Sequence, residues 1–142
     1  NAKDIYKRIE NAGAGAGINF QFGKIEIQPN SLNAHRLIQW AHTNNSEEDI
    51  VERLFDAFFL RGKNLGKIEV LGEIAASSGF DENDAISHLR SDDGRESVSD
   101  QDESFRKQGI NGVPFFVINR KIGLSGAQPA EQIVETIEST VN

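Results

Sequence analysis

The chain has 142 residues, of which 37% are apolar and 26% charged, and its formal net charge is -7. Its acidic balance argues against binding nucleic acid mainly through charge, and no apolar run approaches the roughly 20 residues of a membrane-spanning helix. The absence of Cys excludes a disulfide framework, a cysteine zinc site and a cysteine nucleophile within this sequence. The sequence begins with Asn1 and contains no Met, so we expect a processed or truncated chain.

A helical pattern predicts the first helix over residues 2–12. Its apolar positions have helical spacing and are Ile5, Tyr6 and Ile9. The Gly-rich segment 13–17 ends it, because Gly disfavours regular structure. Residues 18–27 have an extended pattern, which we interpret as a loop or an irregular strand.

Two amphipathic helices follow. The first has Asn30 or Ser31 as its N-cap and runs to about Thr43. The second begins at the segment 46–49, which resembles a capping box, and ends near Gly62. Its wide apolar stripe predicts burial over about half of the helix circumference. The stripe consists of Ile50, Val51, Leu54, Phe55, Phe58 and Phe59.

Three more helices are predicted before the character of the sequence changes. Residues 67–78 form one helix, with Gly79 as its C-cap, and Asp81 caps a short helix after it. The inward positions of these two helices are Ile68, Leu71, Ile74, Ala75, Ala85, Ile86 and Leu89. Residues 91–108 predict an acidic helix, and its narrow buried seam consists of Val98 and Phe105.

A hairpin and a terminal helix complete the chain. Residues 113–118 are β-branched and aromatic, which predicts a strand with Pro114 at its very start. Asn119 and Arg120 predict a tight turn before a second strand at 121–124. Pro129 opens the last helix, whose inward face consists of Ile133, Val134, Ile137 and Val141.

The predicted hairpin is incomplete as a sheet. A lone two-stranded hairpin is marginally stable in water, and its first strand is apolar on both faces, like a central strand covered on both sides. One terminal helix covers one face only. We therefore expect further strands from a missing segment, from a second copy of the chain, or from residues 18–27.

The segment that leads into this hairpin is the sharpest motif of the sequence. Gly112, the β-branched Val113 and Pro114 directly precede an apolar strand. This arrangement suits a cis peptide bond before Pro114, whereas a trans proline that merely starts the strand is the alternative.

These residues carry a resemblance to a known family. The segment 112–119 and the Ser-Gly-Ala-Gln-Pro segment 125–129 resemble the C-terminal half of DsbA-like thioredoxin-fold proteins, and of the FrnE-like branch in particular. Three blocks of the helical region, 29–38, 54–59 and 70–75, are also similar to that branch.

The resemblance implies an α/β fold, α+β as truncated: the C-terminal part of a thioredoxin-like fold with a large all-α insertion. Residues 1–109 would be the insertion and return helix, and residues 110–142 the C-terminal ββα of the thioredoxin-like domain. In the family a strand, a Cys-x-x-Cys motif at a helix N-terminus and a second strand precede the insertion. We therefore expect an N-terminally truncated fragment of a thiol–disulfide oxidoreductase, inactive without that motif.

The resemblance also implies site residues, none of them catalytic in this chain. Pro114 matches the cis-proline of the family, and Val113 matches the residue whose backbone binds an extended substrate segment. His35 lies in a matched block and would line the redox site, unless it packs on the seam between helices. We interpret His42 and His88 as partly exposed helix residues. No metal-ligating spacing occurs, and we expect neither a metal nor a cofactor.

The expected partner is an extended peptide or a disulfide substrate, with glutathione as a further candidate, and neither nucleic acid nor a membrane. Three alternatives remain. One is a glutathione-dependent isomerase or transferase of the 2-hydroxychromene-2-carboxylate isomerase or kappa type, with Ser or Cys at the missing position. The others are a non-catalytic peptide-binding module and a structural homodimer that pairs two hairpins. An upstream Cys-x-x-Cys would favour the oxidoreductase. The resemblance favours the cytoplasm.

Overall fold

The computed structural model describes residues 2–42 and 47–141. Thr43 and Ser46, predicted as a helix end and a cap, lie outside this part of the chain. In chain order the elements are α1 (Ala2–Gly15), a 3₁₀ turn (Phe22–Lys24), α2 (Leu32–His42), α3 (Glu47–Phe55), a π-helical segment (Asp56–Leu60), α4 (Ile68–Ser77), α5 (Glu82–Arg90), α6 (Arg95–Lys107), β1 (Phe115–Ile118), β2 (Ile122–Ser125) and α7 (Ala130–Val141).

The chain divides into two compact units, Asn1–Ser99 (unit 1) and Asp100–Asn142 (unit 2). The division falls within α6, whereas the sequence assigns residues 1–109 and 110–142 to separate domains. The division into an insertion (residues 1–109) and a thioredoxin-like portion (residues 110–142) stays a prediction.

The core of unit 1 is formed by α2, α3, the π-helical segment, α4 and α5. Its buried apolar side chains recur at helical spacing, so each helix turns one face inward. They are Ala34, Leu37, Ala41, Ile50, Leu54, Ala57, Leu71, Ile74, Ala75, Ala85 and Leu89. Each fully buried Leu or Ile contributes about 1.5–3 kcal/mol relative to an exposed one, so this cluster is the main source of stability in unit 1.

The segment between α1 and α2 contains no strand within 18–27, so the loop interpretation is confirmed and the irregular strand is wrong. Its backbone is satisfied by a helix instead: the Gln21 N–H donates to the Phe59 carbonyl at 2.8 Å. The Phe22 ring also stacks on Tyr6 of α1, with centroids 4.7 Å apart. This segment therefore cannot supply a further strand to the hairpin. The helix before it, α1, continues to Gly15, beyond the predicted end at residue 12.

The predicted wide stripe after residue 46 is confirmed except at Phe55, and its members Val51, Phe58 and Phe59 are half-buried. Ile50, Leu54 and Ala57 are buried at i, i+4 and i+7, whereas Phe55 is 60% exposed. Phe55 adjoins Leu54 and so lies about 100° from it around the helix axis, outside the buried face. The helix also changes to a π-helix at Asp56, a widened turn that the apolar pattern did not predict.

The turns around α4 and α5 follow the sequence prediction. Ser78 is the C-cap of α4, and Gly79, the predicted cap, directly follows it with φ of +87°, a conformation that Gly adopts at low cost. The Asp81 side chain accepts a hydrogen bond from the Asp84 N–H at 3.0 Å and so caps α5. Gly72 lets the two helices approach closely, since an added Cβ would lie 2.7 Å from Ile86 Cγ1.

A buried arginine ties α2 to the end of α5. Arg36 is fully buried, and its guanidinium donates to four backbone carbonyls at 2.7–3.0 Å, those of His88, Leu89, Ser91 and Asp93. It thereby satisfies carbonyls that the helix end leaves without partners. Burial lowers the pKa of Arg36, but an arginine remains charged at neutral pH.

The same region holds His88, which stacks on Trp40 with ring centroids 5.9 Å apart. Burial lowers the pKa of His88, and the charge of Arg36 lowers it further. His42, by contrast, ends α2 with a largely exposed side chain that pairs with Glu47. The expectation of partial exposure holds for both histidines, but the packing of His88 is closer than expected.

The acidic helix α6 is shorter than predicted, and its expected seam is incomplete, with Val98 half-buried. It begins at Arg95, because residues 91–93 form the loop held by Arg36. No residue of α6 is buried, and Phe105 is 47% exposed. Its surface instead carries ion pairs at i, i+4, Asp102 with Arg106 and Glu103 with Lys107.

Unit 2 contains the antiparallel hairpin of β1 and β2 and the helix α7. Phe115 pairs with Ser125 and Ile118 with Ile122, so β2 lies one residue later than predicted. Asn119 and Arg120, with φ of 49° and 56°, are the central residues of the turn. Two positive φ angles are typical of a type I′ turn, so the predicted tight turn is confirmed.

Candidate functional site

The candidate site lies at the start of β1, where Val113 and Pro114 adjoin each other. The peptide bond between them is cis. Val113 is 90% exposed, and its N–H and carbonyl form no hydrogen bond with the part of the chain that the structure describes. This residue therefore presents an open donor and an open acceptor to solvent.

Pro114 joins this open segment to the hairpin. Its carbonyl accepts a hydrogen bond from the Gly126 N–H at 2.8 Å, just beyond the first pair of the ladder, Phe115 with Ser125. Proline has no N–H to donate. The hydrogen bond therefore fixes the start of β1 on its β2 side and leaves Val113 outside the ladder.

The side chains of β1 are incompletely covered on both faces. Successive residues of a strand point to opposite faces, and the adjacent Phe116 and Val117 are both exposed, Val117 by 61%. Phe115 and Ile118 are half-buried. Phe115 reaches across to Gly123, where an added Cβ would lie 2.8 Å from the ring carbon Cζ.

The terminal helix covers less of the hairpin than the sequence predicts. Of its predicted inward residues, Ile133 is half-buried, but Val134, Ile137 and Val141 are exposed. The prediction of burial for those three residues is wrong, because α7 alone offers too little facing surface. The sequence also predicted Pro129 as the first residue of α7. Pro129 instead directly precedes the helix, and its carbonyl accepts a hydrogen bond from the Gln132 N–H.

A buried polar contact orients the hairpin on α7. Thr140, which is buried, accepts a hydrogen bond from Asn119 Nδ2 at 2.7 Å, and its hydroxyl donates a hydrogen bond to the Ile137 carbonyl. The Lys121 ammonium donates to the Thr140 carbonyl at 3.1 Å, which suits a cation at a helix C-terminus. The sequence analysis missed this contact. A Thr in the last turn and a Lys after the hairpin turn are its weak signals.

The third predicted site residue, His35, is exposed on α2 in unit 1. It does not pack on a seam between helices, so that alternative is wrong. The structure brings Val113 and Pro114 together, whereas the role of His35 at the site stays a prediction.

Two other kinds of site are absent from the described residues, a metal centre and a membrane-spanning helix. No group of three or more His, Asp or Glu side chains in residues 2–42 and 47–141 could hold a metal ion. Within the same ranges, no helix is both long and apolar enough to cross a bilayer.

The chain is similar to known proteins in sequence pattern and in fold. The family model of the DSBA-like thioredoxin domain matches residues 1–138. A probable DsbA oxidoreductase from Streptomyces coelicolor has a similar structure, with a TM-score of 0.82 and 24% identity over 94% of this chain and 57% of that one. A candidate protein disulfide isomerase from Nitrosomonas europaea has a TM-score of 0.77 and 15% identity over 99% of this chain and 75% of that one. No curated protein matches the sequence.

The hairpin, the terminal helix and the preceding helical region define a mostly helical protein of the thioredoxin-like class with a helical insertion, as the resemblance implied. The chain belongs to the DSBA-like thioredoxin domain family. It spans 57% of the length of the Streptomyces protein that it matches.

Proposed function

We propose that this chain is the helical insertion and the C-terminal ββα portion of a FrnE-like thiol–disulfide oxidoreductase that acts on protein or small-molecule disulfides. Family membership supports the reaction class. The observation that carries the proposal is the open backbone of Val113 at the start of β1, next to Pro114.

The proposed reaction is thiol–disulfide exchange. A cysteine thiolate of the enzyme attacks one sulfur of a substrate disulfide, forms a mixed disulfide and releases the other sulfur as a thiolate. A second cysteine thiolate then attacks the mixed disulfide, so the substrate leaves as a dithiol and the enzyme is oxidised; the reverse sequence oxidises a substrate dithiol. Both cysteines must come from outside these 142 residues, which contain none. The chain alone is therefore inactive in this proposal.

The role of this chain in that reaction is to hold the substrate. An extended peptide adds to the open edge beside Val113, with its backbone N–H and carbonyl groups bonded to those of Val113. Pro114 offers no N–H to compete for the same acceptor. His35 is proposed to line the redox site, as the family resemblance implies.

A thiol count on the natural full-length protein tests the reaction class. We expect reduction, alkylation and mass spectrometry to find two alkylated cysteines, spaced Cys-x-x-Cys, upstream of Asn1. A natural protein without cysteine would overturn the oxidoreductase. A single upstream cysteine, or a serine in its place, would favour the glutathione-dependent isomerase or transferase instead.

A peptide titration tests the binding edge separately. We expect an extended apolar peptide to shift the amide resonances of residues 112–117 in the isotope-labelled chain. The matched control is the same peptide with N-methyl groups on the amides that face Val113, which removes the donors without changing the side chains. Equal shifts from both peptides would contradict binding through the backbone.

A non-catalytic peptide-binding module is the second candidate. The observation in its favour is the same open edge in a chain without cysteine. The two experiments separate the candidates, because this module would bind the unmodified peptide although the full-length protein contained no redox cysteines.

A further inference from the structure

A cleft of about 250 Å³ opens in unit 1 between the end of α3, the π-helical segment and α4. Four of its lining residues share one face of α4, because they are spaced at i, i+3, i+4 and i+7. They are Val70, Glu73, Ile74 and Ser77. Ile74 and Ala57, which are both buried, give the cleft an apolar floor together with the half-buried Val70.

The turn after the π-helical segment places two basic residues, Arg61 and Lys63, at this cleft. After the π-helical segment the Lys63 N–H donates to the Ala57 carbonyl at 2.8 Å. Gly62 allows that turn with φ of +66°, and an added Cβ there would lie 2.3 Å from the Lys24 carbonyl oxygen. π-helical segments occur frequently at functional sites, and this one forms part of the cleft wall.

The lining is basic although the chain as a whole is acidic. Arg53, Arg61 and Lys63 line the cleft, against two carboxylates, Asp56 and Glu73. Arg61 pairs with Asp56 at 2.6 Å, so these two charges largely neutralise each other. Arg53 is held in a similar way by an aspartate of its own helix. Both guanidinium groups keep further N–H donors, since each carries five.

Two oppositely charged side chains that line the cleft have no ion-pair partner in the described part of the chain. The Lys63 ammonium and the Glu73 carboxylate form no ion pair with each other or with any other residue in the described ranges. They come from different elements, the turn after the π-helical segment and α4. One cleft thus offers an unpaired cation, an unpaired anion and an apolar floor.

We propose that this cleft binds a small zwitterion of the α-amino acid type. Its carboxylate would pair with Lys63, its ammonium with Glu73, and its apolar side chain would cover Val70 and Ile74. The cleft lies below the roughly 300–1,000 Å³ of pockets for drug-sized ligands, so it suits a single amino acid better than a larger molecule. This inference does not depend on the proposed oxidoreductase.

Titrations that remove one charge at a time test the proposal. Leucine, leucine amide and N-acetylleucine are titrated into the isotope-labelled chain at constant ionic strength. We expect leucine to shift the amide resonances of Ala57, Lys63 and Ile74 and to saturate at millimolar concentration. Leucine amide lacks the carboxylate and N-acetylleucine lacks the ammonium, so each should bind about fivefold more weakly, as for one exposed ion pair.

Two substitutions in the protein each remove the proposed partner of one charged group of the ligand. Lys63→Gln and Glu73→Gln should each weaken leucine about fivefold. Lys63→Gln should leave leucine amide unchanged, and Glu73→Gln should leave N-acetylleucine unchanged. Lys67→Gln is the matched control, because Lys67 is exposed outside the cleft lining and its loss changes the net charge equally.

Three outcomes would overturn the proposal. The first is the absence of leucine-dependent shifts at these residues in the folded chain, checked by its thermal unfolding. The second is equal weakening by Lys63→Gln and Lys67→Gln, which would indicate general charge attraction. The third is N-acetylleucine binding as tightly as leucine, which would leave an anion site that does not recognise an ammonium group.

Discussion

The two units carry similar apolar patterns but bury them to different degrees. In unit 1, Leu37, Ile50 and Leu71 are completely buried between helices. In unit 2, Val117 and Val134 occupy equally regular positions but are 61% and 50% exposed. Several helices of unit 1 face one another, whereas within the described part of unit 2 the hairpin packs against α7. An apolar pattern thus states which face can be buried, and a facing surface decides whether it is.

The difference extends to polar contacts. Unit 1 encloses a charged side chain, Arg36, among backbone carbonyls. In the described part of unit 2 the buried residue is Thr140, which tethers the hairpin turn through Asn119. In unit 1 the buried polar group is thus a charged side chain that joins two helices. In unit 2 it is a hydroxyl that joins the hairpin turn to the end of α7.

The largest expected effect comes from the buried arginine of unit 1. Arg36→Met should lower the free energy of unfolding by about 4 kcal/mol, because it leaves the buried Leu89 carbonyl and three partly buried carbonyls without their charged donor. Arg90→Met is the matched control, since the Arg90 side chain is exposed and lies 3.5 Å from Glu69, and should cost at most about 0.5 kcal/mol. Urea denaturation gives both values. Equal losses would contradict a structural role for Arg36.

The next effect contrasts a buried and an exposed apolar helix residue. Leu71→Ala should lower the free energy of unfolding by about 3 kcal/mol through the cavity that it leaves in the core. Val134→Ala in α7 should change it by no more than about 0.5 kcal/mol. Thermal and urea unfolding of the dilute chain measure both. A large loss at Val134 would mean that unit 2 has a covering surface after all.

A third prediction concerns that covering surface. We expect the chain by itself to form a homodimer through the exposed apolar side chains of unit 2, and light scattering at micromolar concentration should show it. Val117→Lys should raise the dimer dissociation constant at least about tenfold, by placing a charge in the contact. Phe55→Lys, an equally exposed position in unit 1, should not. A monomeric parent chain would refute the dimer.

The smallest effect is the pH dependence due to His88. Its pKa in the folded chain lies below the ordinary value of 6.5, so near that pH the unfolded chain binds more protons than the folded one. The free energy of unfolding should therefore be highest well above pH 6.5 and fall as the pH falls through this value. His88→Phe keeps an aromatic ring beside Trp40 and should flatten the decline between pH 8 and pH 5. An identical slope in both proteins would contradict the assignment to His88.

The local signals of the sequence predicted local structure well. Asp81 as a cap, Gly79 as a helix end and Asn119 with Arg120 as a turn depend on neighbours a few residues away, and each was found where predicted. Arg36 was missed because its carbonyl partners lie more than 50 residues further along the chain. Phe105, predicted to share a seam with the half-buried Val98, is exposed for a related reason, since periodicity does not show whether a surface faces it.

The candidate site likewise has features that the sequence predicted and features that only the structure showed. The order Gly112, Val113, Pro114 before an apolar strand identified the segment and carried the resemblance to the family. The resemblance implied a substrate-binding backbone at Val113. The structure added that this backbone forms no hydrogen bond within the described part of the chain and that Pro114 is joined to Gly126 across the hairpin.

The sequence by itself determined the helices, the hairpin, the turn residues and the family, because propensities, caps and spacing act over a few residues. The tertiary structure decided which apolar faces are buried, where α3 gives way to a π-helix, and that Lys63 and Glu73 line one cleft. Those outcomes depend on surfaces that meet only when distant segments fold together.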